Sequence, residues 1–161
     1  MAGITYVIRR IGPADRHFAR QAILNIKHHS MPRAANDFDD AYLAKLLTLA
    51  ELCFLVAVTE ETVVGFLIAY RLPRVDRLQN MMFLYEIEVA AAYQKKGIGT
   101  GLINTLKLIC RNEQIMKVWV PTHRSNTAAV NLYKKTGGQE DGDGEMVSFT
   151  YYPPFVDIEG V

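Results

Sequence analysis

Apolar side chains recur along the chain with two periods, one typical of strands and one typical of helices. Alternating and β-branched runs predict strands over residues 6–11, 53–58, 63–70, 82–89 and 117–120, with two short extended segments beyond residue 138. The 3.6-residue period predicts helices over residues 18–26, 42–50, 98–111 and 126–133. The order is β-α-α-β-β-β-α-β-α-β-β, and its strand–helix–strand passage between residues 82 and 120 predicts a parallel strand pair.

The same pattern assigns faces within these elements. Gly65 inside a strand predicts a bulge or a close approach of another segment. Strict alternation over residues 82–89 places Leu84, Glu86 and Glu88 on one face, opposite Phe83, Tyr85, Ile87 and Val89. The second helix should bury a stripe made of Tyr42, Leu43, Leu46, Leu47 and Ala50. The polar stretch 28–40 before it predicts a loop that could shape a substrate mouth.

The composition is that of one folded domain. Of the 161 residues, 50% are hydrophobic and 22% are charged, and the formal net charge is +1. So small a charge disfavours a nucleic-acid partner. No stretch approaches the roughly 20 apolar residues of a membrane span, and the N-terminus lacks a signal-peptide pattern, so we predict a cytoplasmic protein without a membrane partner. We predict a single domain over residues 1–161, with a core at 5–152 and an apolar tail at 153–161 that covers a sheet edge or joins a homodimer contact.

Cysteines and histidines give little sign of redox or metal chemistry. Cys53 and Cys110 lie inside apolar runs without CxxC spacing, which predicts buried free thiols. His28, His29 and His123 lack metal-ligand spacing with any acidic or cysteine cluster. We therefore predict no metal.

The segment 94–100 carries the strongest chemical signal. Its residues are Gln94, Lys95, Lys96, Gly97, Ile98, Gly99 and Thr100, between a strand and a helix. Free amides and the helix dipole at such a position favour a phosphate, and glycines let an anion approach the backbone. A phosphate-loop NTPase would need Gly-Lys-Ser/Thr here, and a dinucleotide fold would need GxGxxG with a later acid; neither is present. A glycine-rich turn with no ligand remains the alternative.

Two motifs together resemble the GNAT superfamily of acetyltransferases. Gln94-x-x-Gly97-x-Gly99 after a strand ending at Val89 is similar to its cofactor motif. A second motif, an Asn opening a helix with Ala and then Leu-Tyr, is matched by Asn126, Ala129, Leu132 and Tyr133. The resemblance covers about residues 5–152 and implies an α/β (α+β) GNAT fold, with a mixed central sheet of about seven strands and helices on both faces.

Residues 43–133 further resemble the type I aminoglycoside 3-N-acetyltransferases. The similar segments are Val63-Val64-Gly65, Ala69-Tyr70-x-Leu72-Pro73 and Leu102-Ile103-Asn104-x-Leu106-Lys107. Those enzymes carry acidic residues after the fifth strand, where this chain has His123-Arg124-Ser125-Asn126. The departure weakens the case for an antibiotic substrate.

The resemblance implies acetyl-CoA as donor and suggests roles for individual residues. Backbone at Ile87, Glu88 and Val89 would meet the acetyl group and the pantetheine arm, and residues 94–100 would hold the pyrophosphate. Asn126 and Ala129 would also contact the donor, unless Asn126 only caps its helix.

Acetyl transfer to an amine needs a proton acceptor and a proton donor. Glu86 is the favoured base, with Glu88 as the alternative or as a contact for a cationic acceptor; both could instead lie on a solvated sheet face. In the family the residue matching Tyr133 protonates the departing thiolate, whereas an ordinary core tyrosine is the competing interpretation.

These observations predict an N-acetyltransferase that acts on a primary amine of a small molecule, with an aminoglycoside as one option. The acidic turn 140–145 would help to attract cations, unless it is only a solvated hairpin. Acetylation of a protein N-terminus or lysine is the alternative reaction. A non-catalytic acyl-CoA-binding module is the alternative from another class.

Overall fold

The computed structural model describes residues 4–27 and 39–158. Seven strands form one sheet in the order β1-β2-β3-β4-β5-β7-β6. They are β1 Val7–Ile11, β2 Leu52–Thr59, β3 Thr62–Pro73, β4 Asn80–Val89, β5 Val118–His123, β6 Gln139–Asp141 and β7 Met146–Tyr151. The pair β4–β5 is parallel, as the strand–helix–strand order predicted, and the other pairs are antiparallel.

Helices cover both faces of this sheet. They are α1 Arg16–Gln21, which continues as a π-helix at Ala22–Lys27, then α2 Asp40–Leu46, α3 Ile98–Asn112 and α4 Thr127–Lys135. Short 3₁₀ turns lie at Pro13–Asp15 and Ala91–Tyr93. The predicted mixed sheet of seven strands between helices is therefore confirmed. In the described part of the chain, no helix has both the length and the apolar character needed to cross a bilayer.

Two apolar clusters hold the layers together. On one face, α3 and α4 bury Leu102, Leu106 and Tyr133 against strand residues that include Leu55, Leu84 and Phe149. On the other face, Phe18 and Ile26 of the first helical segment and Leu43 of α2 pack on alternate strand residues, among them Phe54, Val56 and Phe66. Because β2 is buried on both faces, its run of apolar residues is continuous rather than alternating.

A bulge in β4 corrects the predicted alternation. Ile68 of β3 pairs with Glu86, yet Ala69 pairs with Leu84, so Tyr85 is an extra residue in the ladder. Leu84 therefore shares the α3 face with Ile87 and Val89. Glu86 and Glu88 do share a face, but it is the α1 face. A bulge changes which face every later residue occupies, and strict two-residue alternation misses it.

The predictions for Gly65 and for the second helix have different outcomes. Gly65 has both predicted features, a nearby shift of register and a close approach, since a Cβ there would lie 3.0 Å from a methyl group of Ile98. Helix α2 ends at Leu46, and Tyr42 and Ala50 are exposed, so they do not belong to its buried stripe. Asp39 starts this helix by accepting hydrogen bonds from two backbone amides. Residues 28–38, which make up most of the predicted loop and include His28 and His29, lie outside the described residues.

The C-terminal segment folds back onto the molecule. Phe155 is buried in the cluster beneath α3, and the Asp157 carboxylate lies 3.6 Å from the Lys107 ammonium. Lys107 is itself buried, and its ammonium donates to the carbonyl oxygen of Thr136 at 3.0 Å. The described tail thus packs against α3 and the end of α4.

Candidate active site

The parallel strands β4 and β5 separate soon after they meet. Their ladder contains only Met82 with Val118 and Phe83 with Trp119, although β4 continues to Val89 and β5 to His123. The carboxyl-terminal half of β4 therefore has an edge that β5 does not cover. Open strand edges present unpaired amides and carbonyls.

The uncovered edge of β4 offers backbone donors. The amide of Ala90 donates to the Val64 carbonyl on β3 at 2.9 Å. Because successive amides of a strand point to opposite sides, those of Glu86 and Glu88 also point to β3, and those of Ile87 and Val89 point into the gap. The Val89 carbonyl on the same side accepts from the Gln94 side chain at 3.1 Å.

The segment after β4 turns into the N-terminus of α3 through two left-handed residues. Lys95 has φ 58° and Gly97 has φ 82°. The first intrahelical bond runs from the Gly101 amide to the Gly97 carbonyl at 2.9 Å, so the amides of Ile98, Gly99 and Thr100 precede the hydrogen-bonded ladder. Together with the helix dipole they form a donor-rich cradle suited to phosphate.

The three glycines of this segment serve different purposes. Gly97 supplies the positive φ, and a Cβ there would meet no atom closer than 3.9 Å. A Cβ on Gly99 would lie 3.2 Å from Leu132 of α4, and one on Gly101 would lie 2.8 Å from the Tyr6 hydroxyl. Gly97 thus has open surroundings, whereas Gly99 and Gly101 allow close packing on Leu132 and Tyr6.

Two lysines lie beside the cradle. Lys95 and Lys96 are exposed, and the Lys96 ammonium lies 5.3 Å from the centre of the Tyr93 ring. An exposed ammonium over an aromatic ring gains only about 0.5–1 kcal/mol, so Lys96 is free to reorient toward a ligand.

Glu86 is engaged by a lysine that the sequence did not reveal. The Lys27 ammonium, at the end of the π-helix, lies 2.6 Å from Glu86 Oε2, and both side chains are largely buried. Glu86 is therefore not on a solvated face. Glu88 is only partly exposed and pairs across the ladder with buried Phe66.

Tyr133 lies on the face of the sheet opposite Glu86. It is 4% exposed on α4, and its ring centre lies 5.3 Å from that of Phe149, which pairs with Val120 of β5. Burial raises the pKa of the Tyr133 phenol to about 12. A phenol with this pKa stays protonated at neutral pH, as a proton donor must.

The start of α4 is capped as the simpler interpretation predicted. The Asn126 side-chain oxygen accepts from the Ala129 amide at 3.2 Å. Ala129 itself packs on the cluster that contains Tyr133. The cap uses the oxygen of Asn126, so its amide nitrogen is a separate donor at the same position.

The acidic turn between β6 and β7 is organised around Arg124. The Arg124 guanidinium lies 2.6 Å from Glu140 and donates to the carbonyl oxygens of Gly142 and Gly144. Lys134 contacts the second Glu140 oxygen, also at 2.6 Å, and the two cations lower the pKa of Glu140. Glu140 is thus already paired with two cations.

Both cysteines are buried free thiols. Burial raises the pKa of Cys53 to about 11 and that of Cys110 further, so both thiols are held neutral. Among residues 4–27 and 39–158, no three His, Cys, Asp or Glu side chains are grouped as a metal site would need.

The comparison with protein families decides the identity of this fold. A model described as the Acetyltransferase (GNAT) family matches residues 20–138. The chain belongs to the GNAT family of acetyltransferases. It is an acetyl-CoA-dependent N-acetyltransferase, as the two sequence motifs predicted. No curated protein matched its sequence.

Solved structures resemble this acetyltransferase in fold at low sequence identity. One is the aminoglycoside acetyltransferase meta-AAC0020 from an uncultured soil metagenomic sample, in complex with sisomicin, with a TM-score of 0.78, 22% identity and coverage of 86% of this chain and 91% of that one. Another is Arabidopsis thaliana NAA60 with a bisubstrate analogue, with a TM-score of 0.69, 18% identity and coverage of 92% and 98%. A third is a ribosomal-protein-alanine N-acetyltransferase from Brucella melitensis biovar Abortus 2308, with a TM-score of 0.68, 23% identity and coverage of 87% and 96%.

Sequence reasoning missed features that depend on distant residues. Lys27 and Glu86 are 59 positions apart, and an isolated lysine at a helix end gives no sign of its partner. Arg124 appeared only as a departure from a family pattern, and its role in the turn depends on the pairing of β5 with β7. The bulge at Tyr85 follows an ordinary run of strand-forming residues.

Proposed function

We propose that this acetyltransferase transfers the acetyl group of acetyl-CoA to a primary amine of a small molecule, at the gap between β4 and β5. The observation that carries the proposal is the arrangement around this gap. Backbone amides of Ile87 and Val89 line its edge, the Glu86 carboxylate lies on one face of the sheet, and the Tyr133 phenol lies on the other.

The donor would be held mainly by backbone groups. The amides of Ile87 and Val89 suit the acetyl carbonyl and the amide groups of the pantetheine arm, with Glu88 between them on the strand. The cradle from Gln94 to Thr100 suits the pyrophosphate, since its left-handed residues and helix N-terminus present several amides to one anion. Lys95 and Lys96 add positive charge. Asn126 and Ala129 would contact the donor from the start of α4.

Glu86 is the proposed base for the acceptor amine. A protonated amine cannot attack a carbonyl carbon, so one proton must leave before the reaction. Lys27 holds Glu86 Oε2, which orients the carboxylate and leaves Oε1 as the proton acceptor, directly or through a water molecule. Lys27 is thus a positioning residue in this proposal.

Tyr133 is the proposed acid. Acetyl-CoA supplies an activated acetyl thioester, whose leaving group is a thiolate. A free thiol has a pKa near 8.5, so its thiolate is a weaker base than the Tyr133 phenolate, whose conjugate acid has a pKa of about 12. The low-dielectric surroundings that raise the pKa of the phenol would also raise the pKa of a thiol beside it, so the pKa difference between the two groups would be smaller in the site.

A turnover assay that follows thiol release from acetyl-CoA tests the proposal. The acceptors would be a small primary amine, a polyamine, an aminoglycoside and a peptide with a free N-terminus. Acetylation of at least one small amine is expected. Activity on the peptide alone would replace the proposal by N-terminal or lysine acetylation. Tight acetyl-CoA binding in calorimetry with no transfer to any acceptor would point to the non-catalytic module.

A further inference from the structure

Four aromatic rings lie in a row across the middle of the sheet, on the face that carries Glu86. Tyr70 of β3, Phe83 and Tyr85 of β4 and Trp119 of β5 form this aromatic row. The ring centres are 5.8 Å apart for Tyr70–Tyr85, 6.1 Å for Phe83–Tyr85 and 5.4 Å for Phe83–Trp119. These spacings are those of favourable edge-to-face and stacked ring pairs.

The row begins at the gap and ends beside the proposed base. Phe83 and Trp119 form the last rung of the β4–β5 ladder before the strands separate. Tyr85 is the bulge residue directly before Glu86, and 58% of its surface is exposed. Tyr70 pairs across β3–β4 with Phe83 and lies two residues beyond Ile68, the partner of Glu86. The rings therefore lie beside Glu86, on the face of the sheet where the amine would react.

Charges around the gap do not suit a polycation. Glu86 is paired with Lys27 at 2.6 Å, and Glu140 is paired with both Arg124 and Lys134. On the face of the aromatic row, Glu86 thus already has a cationic partner, and Glu88 is the one further carboxylate of β4 there. An acceptor with several ammonium groups would therefore find few carboxylates on this part of β4.

We infer that the acceptor is a primary amine with a single positive charge on an aromatic or otherwise apolar body, which packs against the aromatic row while its nitrogen lies at Glu86. This inference rests on the proposed acetyl transfer and narrows its acceptor. The rings supply apolar contact and a favourable surface for one ammonium group. Polyamines and aminoglycosides are expected to be poorer acceptors, because each additional ammonium would have to be desolvated against aromatic rings or beside Glu86, which Lys27 already pairs.

Competition between acceptors tests the inference. We would measure kcat/KM for phenethylamine, spermidine and sisomicin with acetyl-CoA in excess. We expect phenethylamine to exceed both polycations at least tenfold. Equal or greater kcat/KM for spermidine or sisomicin overturns the inference and leaves the acetyl transfer intact, whereas absence of transfer to every amine counts against the proposed function itself.

The protein contains one tryptophan, and it belongs to the row, so binding can be followed without turnover. Titration with phenethylamine should change Trp119 fluorescence saturably, and spermidine at the same concentrations should not. A change with spermidine alone, or none with phenethylamine, contradicts the inference even if the enzyme proves inactive.

A matched pair of variants locates the effect. Tyr85→Ala should raise KM for phenethylamine about tenfold and leave KM for acetyl-CoA unchanged. Leu108→Ala removes an apolar side chain that is 45% exposed on α3, on the opposite face of the sheet, and should behave as the unsubstituted protein. Equal effects of both substitutions, or unchanged KM in Tyr85→Ala, would show that the row does not contact the acceptor. Circular dichroism establishes that both variants fold.

Discussion

Replacing Tyr133 by Phe is the sharpest test of the proposed proton donor, because it deletes one hydroxyl and keeps the ring that packs on Phe149. General acid catalysis typically contributes 10²–10⁴-fold to a rate. The pKa of Tyr133, about 12, lies well above that of a free thiol, so we expect the low end of this range. Turnover should fall about 10²-fold, or about 2.7 kcal/mol in activation free energy, with little change in the affinity for acetyl-CoA.

The same substitution has a consequence for stability that activity does not report. Burial raises the pKa of Tyr133 from 10.0 in the unfolded chain to about 12 in the folded one. Above pH 10 the unfolded chain loses this proton while the folded protein keeps it, so stability is full below pH 10 and falls as the pH rises toward 12. Two pKa units correspond to about 2.7 kcal/mol in the free energy of unfolding, and half of this contribution is lost by pH 11.

Two measurements on Tyr133→Phe separate these effects. Single-turnover kinetics and acetyl-CoA calorimetry give the rate and the affinity, with Tyr152→Phe as a control that should keep normal turnover. The free energy of unfolding in urea should fall between pH 9 and pH 11 by about 1.4 kcal/mol less in Tyr133→Phe than in the unsubstituted protein. Unchanged turnover with reduced alkaline loss would make Tyr133 a buried core residue only. Lost acetyl-CoA binding would assign it to donor packing rather than to proton transfer.

Three further substitutions address the base, the cradle and the tail. Glu86→Gln should lower kcat/KM for the amine about 10²-fold at neutral pH and leave acetyl-CoA affinity unchanged in calorimetry; a loss of acetyl-CoA affinity instead would contradict the assignment. Gly97→Ala should lower the free energy of unfolding in urea by about 1–2 kcal/mol, because alanine is strained at a φ of 82°. No nearby atom obstructs the added methyl group, so this backbone strain is the whole cost, and a neutral result would mean that the segment adapts. Lys107→Met should cost about 1–3 kcal/mol, because it leaves the buried Thr136 carbonyl without its donor, and undiminished stability would show that water replaces the ammonium.

Much of the fold could be predicted from local patterns. The apolar runs located the strands, the period of residues 98–111 located α3 almost to the residue, and the strand–helix–strand order predicted the one parallel pair. These features depend on interactions between near neighbours in the sequence. The same is true of the Asn126 cap and of the helix N-terminus after Gly97, which is why this strand–turn–helix segment was recognisable from the order of residues alone.

The acceptor side depended on tertiary structure. The bulge at Tyr85 turned Ile87 toward α3 and put Tyr85 on the same face as Glu86, against the alternation that the residue pattern predicted. The ion pair of Lys27 with Glu86 and the capture of the acidic turn by Arg124 join residues far apart in the chain.

Short motifs and local backbone preferences are enough to establish the family, the fold class and the place where acetyl-CoA is expected to bind, and all of these can be read along the chain. The three-dimensional packing alone shows which charges around the gap are already paired and which rings meet across β3, β4 and β5. This division arises because a carboxylate or an aromatic ring acquires its binding properties from its spatial neighbours. Strand register and helix packing select those neighbours, and neither is encoded in a short stretch of residues.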